Sequence, residues 1–453
     1  MNQRSKIAIL GFGLEGKATM HYLLRHGYHN LTICDANVDI KDEMPDGVSV
    51  HLGTKYLEGL EEFEVIFRSP GISYLNPLIQ SAKNMVAEIM SCTSYFMDQC
   101  PCPVIGVTGT KGKGTTSTLI YEILKKGNAR VFLAGNIGTP ALEFLDELKG
   151  DDLVVLEMSS FQLHDLTKSP KVAVLLNTTS DHLDYHADVG EYLAAKESIL
   201  AHQNENCVAV LNKDYDYFKY YAPLVKGDLR LVSVKSKVED GAFTEEGGIY
   251  SAEYEDTEFI CNVNEVGLIG SHNLENILPA VAVAKYFRIS NQDIAEVLKE
   301  FKGLPHRLEF VRKLDGISFY NDSFSTTPDT SIAAVESFDE PTFLIAGGAD
   351  KGADYGEWAE KILTRENLCG VVLVGGTAER MANAIEESRK NGAYETTPTK
   401  ILQAHNLKDA VIMAKKELAN GGVIVMSPAS SSFDLYKNYK ERGEKFREVV
   451  KTL

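Results

Sequence analysis

The stretch PVIGVTGTKGKGTTSTLIYEILKK, residues 103–126, reads as a buried strand, a glycine-rich turn and a helix. PVIGV is a short apolar run. Leu119, Ile120, Ile123 and Leu124 recur at helical spacing. Between them stand Gly109, Thr110, Lys111, Gly112, Lys113, Gly114, Thr115 and Thr116. That is the setting of a phosphate loop, in which backbone N–H groups at a helix start cradle phosphates and a lysine, here Lys113, reaches the β/γ oxygens. A hydroxyl normally follows the lysine to hold Mg²⁺. Gly114 takes that place, so Thr115 is assigned as the metal-side hydroxyl. A glycine turn without nucleotide is the bland alternative, and strand, loop, lysine and helix in register weigh against it.

On both sides of this stretch apolar runs alternate with amphipathic helices, the signature of an α/β fold. Upstream, KIAIL (6–10) runs into Gly11-Phe12-Gly13-Leu14-Glu15-Gly16 and a helix near 16–26; strands follow at LTICD (31–35) and FEVIF (63–67). GxGxxG with Asp35 on the next strand suggests a dinucleotide fingerprint, or a Rossmann-like turn holding another ligand's phosphates or none. Downstream, strands are expected near 130–134, 152–157, 171–176 and 207–211. The polar region 226–270 reads as short strands of a small added sheet, followed by a helix over 274–287 and a hinge at Gly303-Leu304-Pro305. Strands at 341–346, 370–375 and 422–426 mark a last segment. The expected domains are 1–97, 98–303 and 304–453: Rossmann-like, central phosphate-loop ATPase-like with a parallel sheet, and Rossmann-like again.

Composition narrows the function. Lys+Arg 46 against Asp+Glu 64 gives a net charge of −18, which opposes binding to nucleic acid or an anionic membrane. No run of about 18 apolar residues is present to span a bilayer. The seven cysteines are odd in number and scattered. Cys100-Pro101-Cys102 is the one close pair, without a second pair to complete a zinc site. Reduced thiols in a soluble cytoplasmic protein are expected.

The remaining polar residues cluster after strands. LVVLE (153–157) ends in Glu157, and KVAVLLNTTSDH (171–182) ends in Asp181-His182, where ligands emerge from a parallel sheet. His182 and His186 are four apart, but no Glu follows His182, so a zinc-protease helix is excluded. Glu and His beside a triphosphate suit Mg²⁺; taken singly, His182 could cap a loop and Lys196 could be a surface cation. Arg307, Asn321-Asp322-Ser323, Gly347-Gly348-Ala349-Asp350-Lys351 and Ser427–Asp434 adjoin strands of the last segment. Each could be an ordinary turn; together they favour a binding face.

Taken together, GTKGKGTT (109–116), GNIG (135–138), EMSSFQL (157–163), NTTSDHLDYH (177–186), AAKESI (194–199), GSHNLENILPA (270–280), GLPHRLE (303–309), NDS (321–323) and SPASSSFD (427–434) resemble the Mur ligase family over essentially the whole chain. SSFQL after the glutamate points to its glutamate-adding branch. The resemblance implies three domains that hold a UDP-linked substrate, ATP and the incoming amino acid. It also implies the reaction: ATP phosphorylates the L-alanyl carboxylate of UDP-N-acetylmuramoyl-L-alanine, and the glutamate amine attacks the acyl phosphate. By the same resemblance, Gly13, Leu14, Glu15, Asp35, Ser69, Gly71, Asn136, Ser159 and Gln162 face the UDP substrate. Residues 109–116 with Asn273, Asn276, Arg307 and Asp322 face ATP, and Thr326, Lys351, Ser427 and Tyr436 face glutamate. Lys113, Glu157, His182 and Lys196 are the implied catalytic set. One Mg²⁺ would lie by Thr115 and Glu157, and a second by His182 and a carbamate on Lys196.

The chain departs from the family pattern in four places. Lys111 stands where Asn is frequent, Gly114 where Ser or Thr is, Asn37 where Arg is, and Phe324-Ser325-Thr326 where Lys-Ala-Thr is. D-Glutamate is the expected acceptor, with L-glutamate and a folylpolyglutamate-type acceptor as alternatives. An NAD-dependent oxidoreductase would leave the phosphate loop without a role, and a nucleotide switch would leave the C-terminal loops without one. A monomer is expected.

Overall fold

The computed structural model describes residues 1–85, 87–178, 188–254, 256–268, 270, 273–350, 352–391, 399–418 and 420–453. Three parallel-dominated sheets follow one another along the chain, the α/β class expected. The first comprises β1 (Ile7–Leu10), β2 (Leu31–Asp35), β3 (Ser49–Leu52), β4 (Val65–Arg68) and β5 (Glu88–Ser91), in the order β3-β2-β1-β4-β5 and parallel throughout. β1 and β4 are buried along their whole length, as apolar strands covered on both faces must be. The order turns at β1, which opens a crevice beyond the ends of β1 and β4.

The second sheet carries β6 (Val104–Thr108), β7 (Val131–Gly135), β8 (Leu153–Glu157), β9 (Val172–Leu175), β10 (Val208–Asn212), β11 (Asp228–Ser233), β12 (Gly241–Glu245), β13 (Gly248–Glu253) and β14 (Asp256–Asn262). Its order is β14-β13-β12-β11-β10-β9-β6-β8-β7. The expectation of a separate small sheet over 226–270 is corrected here. β11 pairs parallel with β10, β12 pairs with β11, and an antiparallel meander extends the same sheet to nine strands. The polar alternation reflects a one-sided, half-exposed extension of a buried sheet.

The third sheet holds β15 (Glu309–Leu314), β16 (Ile317–Asn321), β17 (Thr342–Ala346), β18 (Leu368–Leu373), β19 (Lys400–Gln403) and β20 (Gly422–Met426), in the order β15-β16-β20-β17-β18-β19. β15 pairs antiparallel with β16, and the other strand pairings among the described residues are parallel.

The chain forms two compact units. One is 1–265 with 274–298; the other is 266–273 with 299–453. Within the first, one apolar core joins residues of the first two sheets, among them Phe67, Phe96, Phe144, Leu156 and Leu163. Within the second, Gly267 is seated tightly: a Cβ there would lie 2.7 Å from the carbonyl oxygens of both Lys299 and Phe301. Among the described residues no helix is long and apolar enough to cross a membrane.

Candidate active site

In the first unit, β6 delivers the phosphate loop to the helix Lys113–Lys126, with Gly112 as its N-cap at φ +85° and no side-chain cap. The glycines are sterically required. A Cβ on Gly109 would meet the Leu176 Cβ at 2.6 Å, and one on Gly112 the Asn276 Oδ1 at 2.0 Å. Two lysines converge on one carbonyl. Lys113 Nζ donates to Gly109 O and Thr110 O, both at 3.0 Å, and the buried Lys196 Nζ donates to Gly109 O at 3.0 Å. Thr110 is held by the Tyr192 hydroxyl at 2.8 Å and through its N–H by Asn177 O at 2.7 Å. Thr116 donates to Asn276 O at 3.1 Å, fixing the helix Leu274–Tyr286 against the loop helix. Thr115 is buried and Lys111 is exposed.

Glu157 ends β8, with Val107 of β6 as its register partner two residues before Gly109. Its Oε1 accepts from Asn136 Nδ2 at 3.1 Å, whereas Oε2 is buried and has no hydrogen-bond partner among the described residues. A buried carboxylate oxygen left over beside a loop with two cations suits a divalent cation with oxygen ligands. The sequence-predicted His182 lies outside the described residues.

Past β8, Ser159 and Gln162 form a reciprocal capping box, and the Gln162 amide N then donates to Glu15 Oε1 at 2.7 Å. The segment after β8 thereby meets the first glycine turn. In that first turn Asp35 accepts from Phe12 N at 2.6 Å, and Ser69 Oγ donates to Gly11 O at 3.1 Å. Gly16 admits no side chain, since a Cβ would sit 2.0 Å from Gly11 O, whereas around Gly13 no atom lies within 4 Å of that position. Leu14 is 79% exposed and Gly71 is exposed, so this turn faces open space. Burial pushes the Glu15 carboxyl up to about 7, against the Gln162 hydrogen bond and the Arg68 charge, which favour ionisation.

Two residues here escaped sequence reasoning. Arg68, at the end of β4, is fully buried; it donates to Phe161 O at 2.8 Å and pairs at 3.2 Å with Asp165, whose side chain is 4% exposed. The pair ties the first sheet to the short helix Ser160–Leu163 of the second. A cation on an otherwise apolar strand, directly before Ser69-Pro70-Gly71, was the available signal.

In the second unit Asp322, directly after β16, is buried. It accepts from Leu308 N at 3.0 Å and Ser427 Oγ at 2.7 Å, and desolvation pushes it up to about 6 against the Ser325 and Ser427 hydrogen bonds. Arg307 lies 4.4 Å over the ring of Phe324, which itself packs edge-on against Tyr439. Thr326 and Tyr436 are half-buried. The predicted Lys351 lies outside the described residues, Asn273 belongs to this unit and Asn276 to the first. A third unforeseen residue, Arg442 of the helix Tyr439–Lys451, joins the loops after β16 and β20. Its guanidinium donates to Ser323 Oγ and O, Ser430 O and Ser431 O at 3.0–3.1 Å. Burial pushes it down to about 10.

Known proteins share this architecture and its order. Residues 5–91 match the Mur ligase MurD-like N-terminal domain, 107–284 the Mur ligase middle domain, and 306–430 the Mur ligase glutamate ligase domain. The UDP-N-acetylmuramoylalanine–D-glutamate ligase of Acetivibrio thermocellus is 37% identical over 100% of this chain and 97% of its own. The enzyme of the same name from Clostridium tetani is 35% identical over 99% and 97%. Among solved structures, the MurF ligase of Thermotoga maritima in complex with ADP superposes with a TM-score of 0.61 at 20% identity, covering 100% of this chain and 97% of that one. Three sheets in series, a phosphate loop at the second and matches to three successive Mur ligase domains place this chain in the Mur ligase family.

Proposed function

We propose that the chain is the ATP-dependent ligase that adds D-glutamate to UDP-N-acetylmuramoyl-L-alanine, working as a cytoplasmic monomer with domains 1–97, 98–303 and 304–453. The observation that carries the reading is the convergence of two lysines on the Gly109 carbonyl, together with a buried Glu157 oxygen, on the strand next to β6, that has no hydrogen-bond partner among the described residues. The ligase names of full-length relatives supply the substrates.

A carboxylate is a poor acylating agent, and phosphorylation gives it a leaving group. Lys113 and the N–H groups opening the helix Lys113–Lys126 hold the ATP phosphates and offset charge on the transferred phosphoryl. Mg²⁺, when bound, neutralises phosphate oxygens. Glu157 and Thr115 would hold one ion; His182 and Lys196 would hold a second, carbamylation turning Lys196 from a cation into an anionic oxygen ligand. The first glycine turn, Gly13–Glu15 with Asp35, Ser69 and Gly71, holds the uridine diphosphate end. Asn136, Ser159 and Gln162 orient the muramoyl-alanine carboxylate. Asn273, Asn276, Arg307 and Asp322 serve the nucleotide, and Thr326, Lys351, Ser427 and Tyr436 the glutamate, whose amine attacks the acyl phosphate and releases phosphate.

A second reading concerns the acceptor alone. By the family resemblance lysine would stand at the place of Phe324, which here is packed under Arg307, and on that resemblance the cation is missing from the amino-acid end. The deciding experiment is ATP-dependent phosphate release with UDP-N-acetylmuramoyl-L-alanine and D-glutamate, L-glutamate or neither. Release with D-glutamate alone is expected. Release with L-glutamate alone would reassign the acceptor, and silence with both would overturn the ligase reading.

A further inference from the structure

The connection from the first sheet to the second carries a feature that the ligase chemistry does not use. The helix Cys92–Gln99 ends at Cys100, and Cys100-Pro101-Cys102 leads into β6. The two sulfurs lie 3.6 Å apart, and the Cys100 thiol also donates to Cys102 O at 3.5 Å. All seven cysteines are free. We propose that Cys100 and Cys102 form a reversible dithiol–disulfide site, oxidised by hydrogen peroxide.

The geometry favours closure. A disulfide needs its sulfurs at about 2.05 Å, so side-chain rotation and a small backbone adjustment must bring them some 1.5 Å closer. The ring of Pro101 fixes φ between the two cysteines and limits the conformations from which they must be drawn together. Both thiols are buried but not sealed: Cys100 and Cys102 retain 9% and 8% exposure, whereas Cys34 has 0%. The charges divide the labour. The hydrogen bond from Cys102, with a smaller contribution from the ammonium of Lys168, which is anchored on Met97 O at 2.9 Å, lowers Cys100, while Cys102 is pushed up. Desolvation pushes Cys34 the other way, up to about 12. Cys100 is therefore the attacking thiolate and Cys102 the resolving thiol.

The chemistry balances. The Cys100 thiolate attacks one peroxide oxygen; an S–O bond forms, the O–O bond breaks, and the departing hydroxide takes up a proton to become water. The Cys102 sulfur then attacks the sulfenic sulfur. The S–S bond forms, the S–O bond breaks, and hydroxide leaves with the Cys102 proton as a second water. Two thiols are oxidised and one peroxide is reduced. A bridge across so short a loop gains little loop entropy, so it should be readily reduced again.

The test treats the whole protein with peroxide, blocks remaining thiols with iodoacetamide and weighs the peptide spanning residues 100–102. The expected result is a peptide lighter by two hydrogen atoms and unalkylated, restored by dithiothreitol. In Cys102→Ser, oxidation should stop at a Cys100 sulfenic acid that dimedone captures. Should both thiols still take iodoacetamide after doses that consume the half-buried Cys207 and Cys369, the site does not exist as described. A Cys100 disulfide to a second copy would equally overturn it. The wild-type measurement stands alone if the serine variant fails to fold.

Discussion

The chain builds strand, glycine turn and helix twice, after β1 and after β6, and equips the two turns differently. Both helices start at a glycine without a side-chain cap, Gly13 and Gly112, leaving first-turn N–H groups for a ligand. The first turn adds an acid, Glu15, and leaves the space over Gly13 open. The second adds Lys113 and Lys196 and packs Gly109 and Gly112 against neighbouring atoms. On the proposed function the first turn holds a phosphate whose charge stays constant, for which backbone donors suffice. Moving a phosphoryl group requires cations placed beforehand, and a loop that cannot shift keeps them in place.

The comparison breaks first at its strongest point. Lys113→Ala and Glu157→Ala should each reduce phosphate release by about 10²–10³-fold or more while the protein stays folded. Wild-type turnover in either would remove the distinction between a holding turn and a reacting one. Next in size are the glycines. Gly109→Ala, Gly112→Ala and Gly16→Ala force a Cβ into 2.0–2.6 Å contacts and should cost about 1–3 kcal/mol in urea denaturation, whereas Gly13→Ala should stay within about 0.5 kcal/mol. Equal costs at Gly13 and Gly16 would mean that the first turn is as closed as the second. Arg442→Lys keeps the charge but loses the fork across Ser323, Ser430 and Ser431. A cost of about 1–3 kcal/mol follows from carbonyls left unsatisfied, with a larger rise in glutamate KM than fall in kcat.

The smallest effect is one of pH. Glu15 keeps its proton up to about 7 in the fold, against 4.5 for an ordinary glutamate. Between those values the folded state holds the extra proton, so the contribution of Glu15 favours folding at the acid end and is lost as pH rises through the window. Glu15→Gln should therefore flatten the fall in stability between about pH 4.5 and 7. Urea midpoints of wild type and variant that run parallel across that range would show that Glu15 does not titrate there.

Much of the fold could be read from apolar runs: β1, β4, β6, β8, β9, β10, β17 and β20 are buried almost throughout and are rich in Val, Ile and Leu. β3, β5 and β19 were missed. Each is a four-residue edge strand, SVHL, EIMS and KILQ, whose mixed composition suits a half-exposed position. At the site, Lys113 and Glu157 were legible because their chemistry is local to a strand end. The links Gln162–Glu15 and Arg68–Asp165 join residues 147 and 97 positions apart, and nothing within either local stretch encodes its partner. Arg442 was hidden for the same reason, since on its helix it reads as one charge among many.

The division of the chain into two units has a consequence for how it could be cut or exchanged. The backbone passes from one unit to the other after Glu265, after Asn273 and after Leu298. A gene fragment begun at Lys299 would encode the third sheet without residues 266–273, leaving bare the groove between Lys299 and Phe301 into which Gly267 fits. A swap of the C-terminal part between relatives at that point would mate an inherited segment with a foreign seat. Recombination that preserves function must carry both pieces together, so in heredity the second unit behaves as a split module rather than as a detachable tail.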